Sequence, residues 1–316
     1  MFESGGSHGG LKKCLQLHIP SAAAALRRGI RRCSRPFHPL LLVSVSVPLF
    51  SAICNPLSPH PLSSSSSSSS SEDHLRPFSE IQPFLGMERF WTDGLIDRNK
   101  AMVEYLKQHG IIKSREVAEV MEAIDRGLFV PAGCPPYVDR PVQIGYNATI
   151  SAPHMHASCL ELLEKQLLPG MSALDVGSGT GYLTACFALM VGPQGHVVGV
   201  EHIPELVTSS VENIKKSSAA SLSKEGSLSI HVADGRLGWP ELAPCDAIHV
   251  GAAAPEIPQP LIDQLKPGGR MVIPVGTVFQ NLKVVDKKLD GSVSVRNEIC
   301  VWYVPFTSRA TQLHDY

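Results

Sequence analysis

Apolar side chains fall into two regimes along this chain. Over 114–126, Val117, Val120, Met121 and Ile124 stand at i, i+3, i+4 and i+7, one face of a helix. Ser114 is placed to cap it, and a preceding helix over Leu95 to His109 ends at Gly110. After Phe129 the prolines at 131, 135, 136 and 141 forbid a long helix. That irregular segment is either a substrate lid over a sheet edge or a plain connector. Leu160, Leu163 and Leu167 then place His156 and Ser158 near the start of another amphipathic helix.

From residue 172 short apolar runs and helical stretches alternate: 172–176, 182–191, 196–200, 204–216, 228–232, 246–250, 258–265 and 270–275. This alternation predicts a doubly wound α/β fold with a mainly parallel sheet covered on both faces. Lys283 to Lys288 and Val293 to Val304 flank Asp290-Gly291, a turn signal that adds a terminal antiparallel hairpin. The serine-rich stretch Ser217 to Ser227 reads as an elongated surface loop.

Composition divides the chain. Residues 1–86 are rich in Ser, Pro and Arg, with Glu3 the only acid before Glu72, and the nine serines Ser63 to Ser71 cannot build a core. Residues 87–316 carry the periodicity and form one catalytic domain. Arg27, Arg28, Arg31, Arg32 and Arg35 fit an organelle transit peptide, for plastid or mitochondrion. The apolar run from Pro39 to Cys54 suggests a signal core or marginal membrane segment instead, and an unstructured leader without an address is the third reading. Pro48 and the serines make it a poor spanning helix, so no stable membrane association is expected. Met87 offers a second start, which would leave a leaderless cytoplasmic form.

A net charge of −1 gives no reason to expect a nucleic-acid partner. The eight cysteines form no C-x-x-C pair and no zinc spacing, so no metal is expected and reduced thiols are the simpler reading.

The chemistry concentrates after Ala173, Leu174 and Val176, a short buried strand. Gly177, Gly179 and Gly181 then make a turn in which backbone can approach a ligand closely, and the helix from Tyr182 faces it with its first N–H groups. A dinucleotide turn spaces its glycines G-x-G-x-x-G, whereas here they alternate, which favours S-adenosylmethionine over NAD. Asp175 at the strand end can accept from donors of a cofactor. Glu201 ends the next strand about 20 residues beyond the turn, where a carboxylate can take both ribose hydroxyls. Asp234 follows the 228–232 strand at a third acceptor position, or is an ordinary DG turn residue.

Five strings in fixed order carry a family resemblance: ATISAPHMHA (148–157), DVGSGTGYLTACFA (175–188), DGRLGW (234–239), CDAIHVGAAAP (245–255) and LKPGGRMVIPVG (265–276). From about Gly94 to Thr307 the chain resembles the protein-L-isoaspartate (D-aspartate) O-methyltransferases. The resemblance implies a class I, Rossmann-like methyltransferase that uses S-adenosylmethionine to methylate the free α-carboxyl of isoaspartyl, and more weakly D-aspartyl, residues in aged proteins and peptides, its partners. A monomer is expected. The cofactor would be held by Ala148, Thr149, Ile150, Ser151, His156, Asp175, Gly177, Ser178, Gly179, Glu201, Asp234, Gly235 and Thr307, with Glu201 on ribose and Asp234 and Gly235 beside adenine. The backbone of Val304 to Thr307 would line the peptide cleft.

Ser151 is the catalytic candidate. A carboxylate is already ionised at pH 7 and can attack a sulfonium methyl without a strong base, so alignment is the need. The Ser151 hydroxyl, with Thr149 nearby, can orient one carboxylate oxygen; alternatively Ser151 merely caps a turn before Pro153. His154 and His156 could cap the following helix, and His249 could be a core histidine. A methyltransferase for another carboxylate, and a nucleotide-binding scaffold without turnover, are the competing readings.

Overall fold

The structure, a computed structural model, describes residues 97–314. The extension assigned to residues 1–86, Met87 and the first residues of the Leu95–His109 helix lie outside the described residues.

Helix α1 (Arg98–Gln108) starts on Asp97, whose carboxylate accepts from the N–H groups of Asn99 and Lys100, and stops at Gly110 with φ +67°. Helix α2 (Arg115–Ala123) is capped by Ser114 as expected but ends three residues early. The buried Asn99 amide explains this, because it lies 2.8, 3.1 and 3.4 Å from the carbonyls of Met121, Glu122 and Ile124. It gives the helix end partners other than a further turn. Asn99 Oδ1 then accepts from Arg126 N, and residues 126–129 close a 3₁₀ turn that carries Arg126 inward.

Strands β1 (Val142–Gly145) and β2 (Ala148–Ile150) form a small antiparallel hairpin around Tyr146 and Asn147, both at positive φ. Helix α3 (Pro153–Leu163) follows, and the alternation of the second half is then met nearly as expected. It comprises β3 (Ser172–Val176), α4 (Tyr182–Val191), β4 (His196–Glu201), α5 (Pro204–Lys216), α6 (Ala220–Glu225), β5 (Leu228–Val232), β6 (Cys245–Val250), α7 (Gln259–Asp263), β7 (Leu265–Val275), β8 (Gln280–Lys287), β9 (Val293–Val301) and α8 (Arg309–His314). The 217–227 stretch corrects the expectation of a loop. Ala219 and Leu222 are buried, and that apolar contact holds α6 despite its serines.

The seven-stranded sheet runs β5-β4-β3-β6-β7-β8-β9, parallel through β7 and antiparallel at β8 and β9. Alternate residues of the strands feed two cores. Ala173 and Val197 face the side of α1 to α5, while Leu174, Val176, Val198 and Ile248 face the side of Leu261. Strand order reverses between β3 and β6, so the crevice at their carboxyl ends is where an open α/β sheet receives a ligand.

Candidate active site

The carboxyl ends of β3, β4 and β6 surround a recess floored by glycine. Gly177, Gly179 and Gly181 all have positive φ, between +54° and +89°, a conformation L side chains rarely adopt. Gly251 must also be glycine for space, since a Cβ there would stand 2.9 Å from the Gly177 carbonyl oxygen. One lobe of the recess is lined by Ala148, Thr149, Gly177, Gly179, Glu201 and Gly235, with Val304 to Thr307 along its rim. The adjoining lobe is lined by Thr149, Ile150, Ser151, His156, Asp175 and the Gly177–Thr180 turn.

Twelve of the thirteen residues expected at the cofactor therefore meet around one recess. Asp234 is the exception. Its carboxylate caps the turn at 235–237 through Arg236 N and is gripped by the Arg236 guanidinium at 2.6 to 3.1 Å, so it serves a local ion pair while Gly235 lines the recess. The neighbouring Arg236 holds its pKa below the ordinary carboxylate value.

Two acids lie deeper. Glu201 is buried and accepts from Gly179 N at 3.1 Å and Ile203 N at 3.0 Å, which ties the glycine turn to the end of β4. Burial pushes its pKa up. Asp175 accepts from Thr184 Oγ1 at 2.5 Å and pairs with His249 Nδ1 at 2.8 Å. The parallel register of β3 and β6 sets these two residues side by side. Burial works against the imidazolium of His249, but Cys159 and Asp175 outweigh it and raise its pKa to about 10. His249 is thus both a paired core histidine and part of the inner lobe.

Next to the recess lies a cleft of about 460 Å³ lined by Thr149, Ser151, His154, Met155, Trp302 and Tyr303, among others. Thr149 and Ser151 belong to both walls. The buried Tyr303 phenol faces the side chains of Ser151 and Cys159. His154 stands at the mouth, its Nδ1 2.8 Å from Asp139 of the 131–141 segment, and is a rim residue rather than a recess residue.

Three residues of the site were not singled out from the sequence: His202, Gln312 and Arg126. Gly251, His202 and Phe306 line the outer lobe, and Gln312 of α8 closes it by accepting from His202 Nε2 at 2.9 Å and donating to the Tyr146 carbonyl at 2.9 Å. Arg126 is wholly buried behind Ser151 and His156. The small residues after the 246–250 strand were a signal for Gly251; an arginine at the end of the expected 114–126 helix carries none.

The recess suits a polar ligand on this structure's own terms. Ser178 Oγ and Thr180 Oγ1 are buried beside it with no hydrogen-bond partner, and native proteins rarely leave such groups unsatisfied.

Comparison with known proteins settles the family. Residues 97–311 match the profile of the family described as protein-L-isoaspartate(D-aspartate) O-methyltransferase. The chain belongs to that family. A protein-L-isoaspartate O-methyltransferase from Triticum aestivum is 69% identical over 229 residues, 72% of this chain and all of that protein. Protein-L-isoaspartate O-methyltransferase 2 of Arabidopsis thaliana is 65% identical over 254 residues, 80% of this chain and 82% of its own. Among solved structures, a Plasmodium falciparum protein-L-isoaspartate O-methyltransferase in complex with S-adenosyl-L-homocysteine superposes with a TM-score of 0.62 at 37% identity. It covers 66% of this chain and 98% of that one. The strings at 148–157, 175–188 and 245–255 contribute walls of the recess, and the first of them also lines the cleft.

Proposed function

We infer that this protein transfers the methyl group of S-adenosylmethionine to the free α-carboxyl of L-isoaspartyl, and more weakly D-aspartyl, residues in damaged proteins and peptides. The observation that carries this reading is the shared wall: Thr149 and Ser151 separate a buried glycine-floored recess from an open cleft. Within the recess, Glu201 is assigned to the ribose hydroxyls, Gly235 to the adenine side, the Gly177–Gly179 turn to the methionine part and Thr307 to the rim. Asp234 acts by capping the turn that carries Gly235. The bound sulfonium supplies an electrophilic methyl group.

The residues of the chain then have only to present an ionised carboxylate in line. Ser151 donates a hydrogen bond to one carboxylate oxygen, and Tyr303 behind it limits where that hydroxyl can point. No residue need remove a proton, because the nucleophile is already an anion near neutral pH. The following backbone nitrogen attacks the methyl ester and expels methanol to close a succinimide, which water reopens partly to normal aspartyl. Normal aspartate carries its carboxyl one carbon further from the backbone and misses the methyl.

Labelled methyl transfer to matched isoaspartyl and aspartyl peptides tests the reading. Label is expected on the isoaspartyl peptide alone, and labelling of normal aspartyl would overturn the repair function. Ser151→Ala should slow single-turnover methylation by an amount equivalent to about 1.5 to 3 kcal/mol, the worth of a hydrogen bond to a charged group, while cofactor affinity stays within about three-fold. Equal rates for variant and parent would remove Ser151 from the mechanism.

The partners proposed are isoaspartyl polypeptides alone, met by a monomer. Among the described residues no helix is long and apolar enough to cross a membrane. We assign residues 1–86 to targeting, toward plastid or mitochondrion, and catalysis to residues 87–316, with the form starting at Met87 cytoplasmic. Removing residues 1–86 should leave turnover and melting temperature unchanged and redistribute a fluorescent fusion. Lost turnover would place the segment in the fold, and an unchanged distribution would reject the targeting role.

A further inference from the structure

Arg126 is the largest fully buried side chain among the described residues, and none of its donors meets a carboxylate there. Its Nε donates to the Pro136 carbonyl at 2.8 Å, its Nη2 to the Ser151 carbonyl at 2.7 Å, and its Nη1 lies 3.0 Å from His156 Nδ1. The guanidinium also lies over the Tyr182 ring at 5.5 Å. One planar fork therefore joins the 131–141 segment, the proposed carboxylate-orienting residue and a histidine of the recess wall.

A guanidinium has donors and no acceptor, so the contact with His156 has one sense. Nδ1 must be the acceptor, and the ring proton must be on Nε2. We propose that Arg126 is a positioning residue for methyl transfer: it fixes His156 as the neutral Nε2–H tautomer and, through the same fork, holds the backbone of Ser151 in register. This rests on the reading of the recess as the methyl-transfer site. Such a tautomer gives the recess wall a hydrogen-bond donor that does not switch between charged and neutral forms near pH 7. The groups around His156 are Arg126 from the 3₁₀ turn, His154 from α3, Tyr182 from α4 and His249 from β6. Burial first, and then the cationic Arg126, press against its protonation.

The positions explain why an arginine is used. Three acceptors diverge around it, and a lysine ammonium offers a point charge where a rigid fork is needed. The fork is delivered by a packing device already described, in which Asn99 ends α2 and receives Arg126 N.

The test begins on the parent protein with ¹⁵N-labelled histidine, the His156 ring signals being assigned by their loss in His156→Gln. An Nε2–H imidazole that stays neutral from about pH 6 to 8, where an ordinary histidine titrates, is expected. An Nδ1–H tautomer, or protonation in that window, would overturn the proposal, and this holds whether or not the variants below fold. Arg126→Lys and Arg126→Met should each reduce kcat/KM for an isoaspartyl peptide by about 10- to 100-fold, as loss of charged hydrogen bonds does, and weaken S-adenosylhomocysteine by a clearly smaller factor, because Glu201 and the glycine turn still hold it. Parental kinetics in Arg126→Lys would show that charge alone suffices and sink the fork. A loss of cofactor affinity as large as the loss of kcat/KM would make Arg126 a scaffold of the whole recess and sink it equally. Absence of methyl transfer in the parent would overturn the functional reading and the role with it, whereas the tautomer is read independently of turnover.

Discussion

Asp175→Ala is expected to destabilise the protein by about 3 to 5 kcal/mol, the loss seen when one partner of a buried ion pair is removed. Asp175 is 1% exposed and His249 5% exposed, and the variant would strand the imidazolium together with the Thr184 hydroxyl. Urea unfolding near pH 7 measures this directly. The pH dependence gives an independent check. In the unfolded chain His249 titrates near 6.5, and in the folded protein its pKa is raised to about 10. A raised pKa favours folding wherever the folded protein holds the extra proton. The stabilisation is therefore complete below about pH 6.5 and is lost as pH rises through about 10. Asp175→Asn should flatten that slope. A parent whose stability does not fall between these values would show that the pair is neutral.

Glu201→Ala is expected to weaken S-adenosylhomocysteine binding by about 1.5 to 3 kcal/mol, the range for hydrogen bonds to a charged group. Calorimetry would read this, while KM for peptide should change little, because Glu201 lines the outer lobe of the recess and not the cleft. The carboxylate also receives Gly179 N and Ile203 N, so the variant should melt lower as the glycine turn loses its anchor. Unchanged affinity would remove Glu201 from the ribose assignment.

Much of this molecule is legible along the chain because its signals are local. The spans of β3, α4, α5 and β5 follow from apolar runs bounded by Gly and Ser, and the alternating glycines mark a turn whose backbone angles no other residue adopts easily. The strings at 148–157 and 175–188 likewise locate the recess, since each runs from the end of a strand into the start of a helix.

What the sequence left open lies in contacts between distant segments. The β1–β2 hairpin has strands of four and three residues and turns through Tyr146-Asn147 rather than through glycine, so periodicity has too few positions to register it. Its clasp is Gln312, some 165 residues away. Serines conceal α6 until Leu222 finds a core to enter. Asp234 has the local signature of a cofactor acceptor, and only the structure shows that its carboxylate also pairs with Arg236 and caps the turn carrying Gly235. Asp175 and His249 become partners only through the register of two parallel strands. Arg126, which along the chain reads as a solvated base in the last turn of the expected 114–126 helix, is drawn inside by Asn99 and by carbonyls of Pro136 and Ser151. The sequence by itself determined the order of elements and the glycine turn, because backbone sterics and apolar periodicity act over a few residues. The tertiary structure alone decided which polar groups are buried together, because a hydrogen bond between remote residues becomes worth making only after the apolar core has excluded water around it.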